Sequence, residues 1–281
     1  MADDTSFLAA CVQLRSGINR SRNVADACAM IAEAAGKGAT FIATPEMTNV
    51  VDRDAGRMFE TLQEESGLEE IKTFSETAQK HRVWLLVGSM AVKIGERRAA
   101  NRGFLFAPDG TVAARYDKLH MFDVDLPNGE SWKESNVYKP GEGAVLVEAP
   151  FAKIGLSICY DVRFPVLYRN LAQAGAEILC VPAAFTRQTG EAHWKTLLTA
   201  RAIENGAFVM APAQGGLHED GRQTYGHSLI IGPWGEILAE APGDEPGVIL
   251  APVHIAAARE ARSRIPNLAL EQSCKVTIVS L

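Results

Sequence analysis

Short apolar runs alternate with longer amphipathic stretches along this chain, the pattern of strands crossed by helices. Residues 7–14 are almost continuously apolar and predict a first buried strand. Val24, Ala27, Ile31 and Ala34 then recur at helical spacing, which predicts a helix capped by Asn23, running through Ala35 and closed by Gly36 and Gly38. A second strand over 40–44 stops at Pro45. Strand, helix and strand at these lengths make a βαβ unit with parallel strands. An amphipathic helix over 64–81 leads to a third strand at 83–92, and a hairpin over 103–116 turns at Asp109-Gly110. Residues 123–143 have no periodicity and predict a long loop of the kind that lines sites.

The second half repeats this order. A strand over 152–159, a helix over 165–175 and a strand over 177–181 ending at Pro182 mirror the first unit. A helix over 190–205 follows, carrying Trp194, Leu197 and Leu198 on one face. Strands are predicted over 207–212, 223–231, 236–239 and 247–252, the third of them after a Pro233-Trp234-Gly235 turn. A helix over 255–264 and an irregular tail close the chain. No composition break divides it, so the expectation is one layered α/β domain over 1–281, with its core at about 7–264 and a tail over 265–281.

Composition narrows the functions. The 281 residues are 47% apolar with a formal net charge of −6, so neither nucleic acid nor an anionic membrane is an expected partner. No apolar run has the length of a membrane span, and the polar start lacks a basic signal region, so the expected setting is cytoplasmic. Five cysteines, with no C-x-x-C pair, argue against a disulfide framework or a zinc site. No glycine-rich phosphate loop is present.

One cysteine stands apart. Cys159 lies where the apolar run through Ile154, Leu156 and Ile158 gives way to polar residues and a helix beginning at Pro165. Such a turn aims backbone amides at the sulfur and favours a thiolate. It also suits a buried structural thiol. Glu46, directly after the second strand, reads as a partner base or as a surface turn residue. Lys118, at the end of the hairpin, reads as a catalytic cation or as a solvated side chain. In open α/β sheets sites gather beyond the carboxyl ends of strands, where these residues fall.

Together, Thr44-Pro45-Glu46, Tyr116-Asp117-Lys118-Leu119-His120 and Ile158-Cys159-Tyr160-Asp161-Val162-Arg163-Phe164-Pro165 resemble the signatures of carbon–nitrogen hydrolases of the nitrilase superfamily. Pro182-Ala183-Ala184-Phe185, His193-Trp194 and Tyr225-Gly226-His227-Ser228 extend the likeness. The resemblance implies an α-β-β-α sandwich, usually paired into a layered homodimer, with no metal or organic cofactor. It implies Cys159 as nucleophile, Glu46 as general base and acid, and Lys118 as the cation facing the oxyanion, the resting protonation of the three being left open. Glu134 is implied as a positioning carboxylate and the Tyr160 N–H as a second oxyanion donor. Phe185 and Thr186 are implied to line the acyl pocket, and Arg163 or Arg187 to meet a substrate carboxylate. Cys11, Cys28 and Cys180 fit packing roles. His193 and His227 fit hydrogen-bonding roles near the site, and Arg201 a structural ion pair with Glu204 or Asp161. Val166 stands where the family usually has Glu.

The implied activity is thioester-forming hydrolysis of a small carboxylate-bearing amide, with water as co-substrate. Ala213-Gln214-Gly215-Gly216-Leu217-His218 is most similar to amidases acting on deaminated glutathione. The alternatives are an omega-amidase acting on α-ketoglutaramate, an N-carbamoyl amino acid hydrolase, a nitrilase, and an idle homologue that binds or scaffolds.

Overall fold

The computed structural model describes residues 5–127 and 129–280. The chain runs β1 (Ser6–Gln13), α1 (Arg20–Gly36), β2 (Phe41–Ala43), α2 (Ala55–Thr61), α3 (Glu69–His81), β3 (Trp84–Gly95), β4 (Arg98–Phe106) and β5 (Val112–Asp117). A small hairpin, β6 (Asp123–Asp125) and β7 (Ser131–Lys133), comes next. The second half is β8 (Val145–Glu148), β9 (Lys153–Leu156), α4 (Pro165–Gln173), β10 (Ile178–Cys180), α5 (Arg187–Asn205) and β11 (Phe208–Ala211). It closes with β12 (Gly215–Leu217), β13 (Gln223–Tyr225), β14 (Leu229–Ile231), β15 (Ile237–Glu240), β16 (Gly247–His254) and α6 (Ala256–Arg264).

Two six-stranded sheets carry the fold, in the orders β16-β1-β2-β3-β4-β5 and β15-β14-β11-β10-β9-β8. Each has three parallel strands inside, β1-β2-β3 and β9-β10-β11, with antiparallel strands outside. The strand period of two then sorts the side chains. Ala9, Cys11, Phe41 and Ala43 pack toward the second sheet, in one core with Ile154, Leu156, Ile178 and Cys180. Their neighbours Ala10, Val12 and Ile42 pack the other way, with Val24, Ala27 and Ile31 of α1 and Phe74 and Ala78 of α3. Leu171 of α4 and Trp194 and Leu198 of α5 join the core from the second sheet's side. The result is the α-β-β-α sandwich. All of these side chains are buried, and burial of this kind is the main favourable term in folding.

Several elements differ from the sequence expectation. The α1 helix starts four residues early, because Asn19 accepts the Arg22 N–H as its cap. Asn23 lies inside the helix and ties Gly17 and Asn49 together. The stretch over 123–143 is not all loop, since β6 pairs with β7 there. The single strand expected over 223–231 is two strands in different sheets, broken where Gly226 and His227 both take positive φ. Helix α2 and strands β8 and β12 are short elements with no clear period.

The carboxyl edges of the two sheets are laced together. Leu14, just past β1, donates to Ala213 and accepts from Gly215. Gly88 of β3 makes the closest approach, for a Cβ there would lie 2.1 Å from the Thr44 carbonyl oxygen, 2.5 Å from that of Pro45 and 2.4 Å from Pro182 Cβ. Two of these obstacles are backbone and cannot swing away. Gly88→Ala therefore forces the Thr44–Glu46 turn and Pro182 apart. The expected cost is about 1–3 kcal/mol or more, read as a lower urea midpoint at an unchanged m-value.

Candidate active site

Four strand ends converge at this laced edge. Glu46 follows β2, Lys118 follows β5, Cys159 follows β9, and Ala184 lies just past β10. The turn at Glu46 places Met47 at φ 56°, its N–H held by the Ser89 hydroxyl. Cys159 sits at φ 51°, with its N–H on the Pro182 carbonyl. Left-handed backbone at residues other than glycine costs roughly 1–3 kcal/mol and persists only where the surroundings impose it. Here it turns the thiol out of the strand line toward Glu46.

The Glu46 carboxylate is fully engaged. Its Oε1 accepts from Lys118 Nζ at 2.8 Å and from Asn101 Nδ2 at 2.8 Å, and its Oε2 accepts from the Ala184 N–H at 2.8 Å. The Cys159 thiol lies near enough to the same carboxylate for the two to couple electrostatically. Lys118 is 2% exposed and also meets both Glu134 oxygens, at 3.0 and 2.9 Å. Glu134 is fixed in turn by the Phe122 N–H at 2.6 Å and Asn101 Nδ2 at 3.2 Å.

These contacts set the charges. Burial alone would raise the Glu46 pKa, but the Lys118 charge, the Cys159 thiol and the bonds from Lys118 and Asn101 hold it below the ordinary value. Burial works against the Lys118 ammonium, yet Glu134 and Glu46 keep its pKa well above normal. Burial first, and the Glu46 charge second, push the Cys159 thiol well above the usual range, with Lys118 opposing. The resting site is therefore carboxylate, ammonium and thiol. The thiolate that the turn was expected to favour is outweighed by burial and by the neighbouring carboxylate.

Behind Cys159 stands a second buried acid. Asp161 accepts from the Ile158 N–H at 2.9 Å and from the Tyr116 hydroxyl at 2.7 Å with Oδ2. Its Oδ1 takes the His120 N–H at 3.0 Å and meets His120 Nδ1 at 2.7 Å. The His120 ring stacks on Phe164 with centroids 3.5 Å apart. Asp161 thus ties the Tyr116–His120 segment, which carries Lys118, to the turn that carries Cys159.

The site opens into a cavity of about 350 Å³, lined by Glu46, Lys118, Glu134, Cys159 and Tyr160 and walled by Met47, Met58, Val137 and Tyr138. Phe185 and Thr186 also line it, as expected. Arg163 does not. Its guanidinium lies 5.4 Å from the Phe185 ring and 5.9 Å from that of Tyr160, and 3.3 Å from His193 Nδ1. Arg187 points outward and pairs with Glu191. His227 is stacked on Tyr225 away from the cavity wall. Arg201 is buried on the Val162 carbonyl and pairs with Glu204, a structural role. Val166 is 70% exposed and touches no part of the cavity.

Sequence reasoning missed Asn101 and the Ala184 N–H. Asn101 lies inside a strand, 55 residues from Glu46, and nothing local marks it. Its buried Oδ1 has no hydrogen-bond partner among the described residues. Among the described residues no group of three or more His, Cys, Asp or Glu side chains is arranged to hold a metal ion.

Comparison with known proteins agrees with this geometry. The carbon–nitrogen hydrolase family matches residues 8–263. A deaminated glutathione amidase from Synechocystis is 40% identical over 266 residues, covering 93% of this chain and 97% of that protein. The human omega-amidase is 34% identical over 262 residues, covering 93% and 94%. The crystal structure of the Caenorhabditis elegans NitFhit protein shares the fold at a TM-score of 0.89 and 33% identity over 95% of this chain, which spans 65% of that longer one. Matched over nearly its whole length in sequence and in fold, the chain belongs to the carbon–nitrogen hydrolase family.

Proposed function

We propose that this protein is a cysteine amidase whose acyl substrate is a small dicarboxylic acid monoamide, with deaminated glutathione as the preferred form. The observation that carries the reading is the buried thiol beside a carboxylate that also holds an ammonium group. The Synechocystis relative's name supports the substrate. The human relative's name supports α-ketoglutaramate as the second reading, and both molecules would leave the same acyl group on sulfur.

The chemistry follows from the resting charges. As Cys159 Sγ adds to the amide carbonyl carbon, its proton passes to Glu46, so thiolate forms only as it is consumed. The carbonyl oxygen gains negative charge facing the Lys118 ammonium and the Tyr160 N–H, each such donor typically worth about 3 kcal/mol. Collapse breaks the C–N bond while Glu46 returns the proton to the departing nitrogen, leaving a thioester on Cys159. Water then adds to the thioester, giving its proton to Glu46. The second collapse frees the acid and restores the thiol. Glu134 and Asn101 keep Lys118 and Glu46 in register through both halves.

Two wider expectations belong to this reading. Ile203 of α5 and Trp234 of the β14–β15 turn are 54% and 57% exposed, which supports a homodimer formed through that face. The five cysteines are all unbridged, which suits a reducing, cytoplasmic setting.

Three outcomes are expected. Release of α-ketoglutarate, common to both candidate substrates, is lost in Cys159→Ala, and the ratio of kcat/KM values ranks the two. Turnover surviving in Cys159→Ala, or nitriles and carbamoyl compounds consumed with no amide turned over, would overturn the reading. Glu46→Gln removes turnover yet lowers the Cys159 thiol pKa, because a charge that opposed the thiolate is gone while Lys118 remains. The check is the pH midpoint of thiolate absorbance, which moves down. Glu134→Gln removes one carboxylate from a buried ammonium and costs about 3 kcal/mol in chemical denaturation.

A further inference from the structure

The mouth of the cavity carries two arginines on one tryptophan. The guanidinium carbons of Arg53 and Arg222 each lie 4.7 Å from the centroid of the Trp132 indole, and all three residues line the cavity. Two like charges gathered on one ring repel, and stacking recovers only a part of that. The nearby acids balance these charges only in part. Asp52 is held by both arms of Arg57, at 2.7 and 2.6 Å, and Glu130 accepts from Trp132 Nε1 at 3.4 Å. Asp220 takes the Arg222 backbone N–H with Oδ1 at 2.9 Å, and its Oδ2 pairs with Nε at 3.7 Å, an ion pair longer than a hydrogen bond.

Arg222 is the sharper of the two. Its side chain is 18% exposed, and its buried Nε makes no hydrogen bond among the described residues. Arg53 makes no hydrogen bond or ion pair among the described residues and is exposed. The turn that carries Arg222 is rigidly placed. His218 N–H donates to the Arg222 carbonyl at 2.8 Å, and the buried His218 ring bridges the Ser16 carbonyl and Thr224 hydroxyl at 2.7 Å each. A guanidinium on a fixed turn that lines a cavity is suited to a two-pronged grip on a carboxylate.

On the amidase reading above, we propose that Arg222, with Arg53 and Trp132, forms the subsite for the substrate's carboxylate, in the same cavity as its reacting bond. This assigns to Arg222 and Arg53 the task expected of Arg163 or Arg187. The site prefers amides with a carboxylate remote from the reacting carbonyl. That carboxylate belongs either to the acyl chain or to the departing amine.

Kinetics with paired amides separate these sources. Succinamate against butyramide probes the acyl side, and N-butyrylglycine against N-butyryl methylamine probes the leaving side. In Arg222→Gln the charged-over-neutral ratio of kcat/KM falls about tenfold to a hundredfold for one pair, as expected for a lost bond to a charged group. The pair that responds identifies the source. Arg222→Lys recovers only part of the preference, because a point charge lacks the planar fork. Equal losses on charged and neutral partners, or no loss, overturn the subsite while leaving the amidase standing. If the wild type turns over no amide, the amidase reading falls. The subsite is then read by calorimetric binding of succinate, weakened at least tenfold in Arg222→Gln if it stands and unchanged if it does not.

Discussion

A buried ammonium between two carboxylates is the constraint on which the rest depends. Lys118 is almost wholly excluded from water and would not stay charged there alone. Glu46 and Glu134 hold it from two sides, and Asn101 spans both acids. Removing any one partner leaves a charge in low dielectric without its counterpart, so the cluster holds together as a unit. It also sets the state of the sulfur. With one cation shared by two anions, the pocket repels a third negative charge, and Cys159 rests as a thiol. On the proposed mechanism, such a nucleophile is kept inert until a carbonyl arrives to take the electrons and Glu46 takes the proton.

The sandwich exists to bring these groups to one place. No two of Glu46, Lys118, Cys159 and Ala184 come from the same strand, and the first two belong to a different sheet from the others. Parallel inner strands in each sheet put their carboxyl ends on one edge, and Gly88 lets the two edges close to backbone contact. Asp161 then fixes the relation between the lysine segment and the cysteine turn through four hydrogen bonds to buried or half-buried partners. The left-handed backbone at Met47 and Cys159 is the strain this arrangement tolerates.

Much of this was legible in the residues. Apolar periodicity located the parallel strands, because a strand buried on both faces cannot avoid being apolar. Cys159, Glu46 and Lys118 stood out beside recognisable strand ends, and the family resemblance gave them roles and added Glu134. What escaped has a common physical cause. Asn101, the Ala184 N–H and the Arg222–Trp132–Arg53 cluster act through partners tens of residues away in sequence, and local pattern carries no trace of such pairing. The short elements α2, β8 and β12 escaped because three to seven residues are too few to display a period. Asn23 misled for a different reason. An asparagine at a helix start is usually its cap, but this one bonds Gly17 and Asn49 across the turn, and Asn19 caps instead.

The β6–β7 hairpin carries Trp132 at the cavity mouth and Glu134 at the buried ammonium, only two residues apart along one short stretch. A ligand that settles against the indole therefore presses on the same backbone that sets the position of Lys118. Recognition at the rim and charge at the reacting centre share one mechanical linkage. A substrate without the group that grips the rim would lose turnover as well as affinity, for the lysine would face its oxyanion from a looser support.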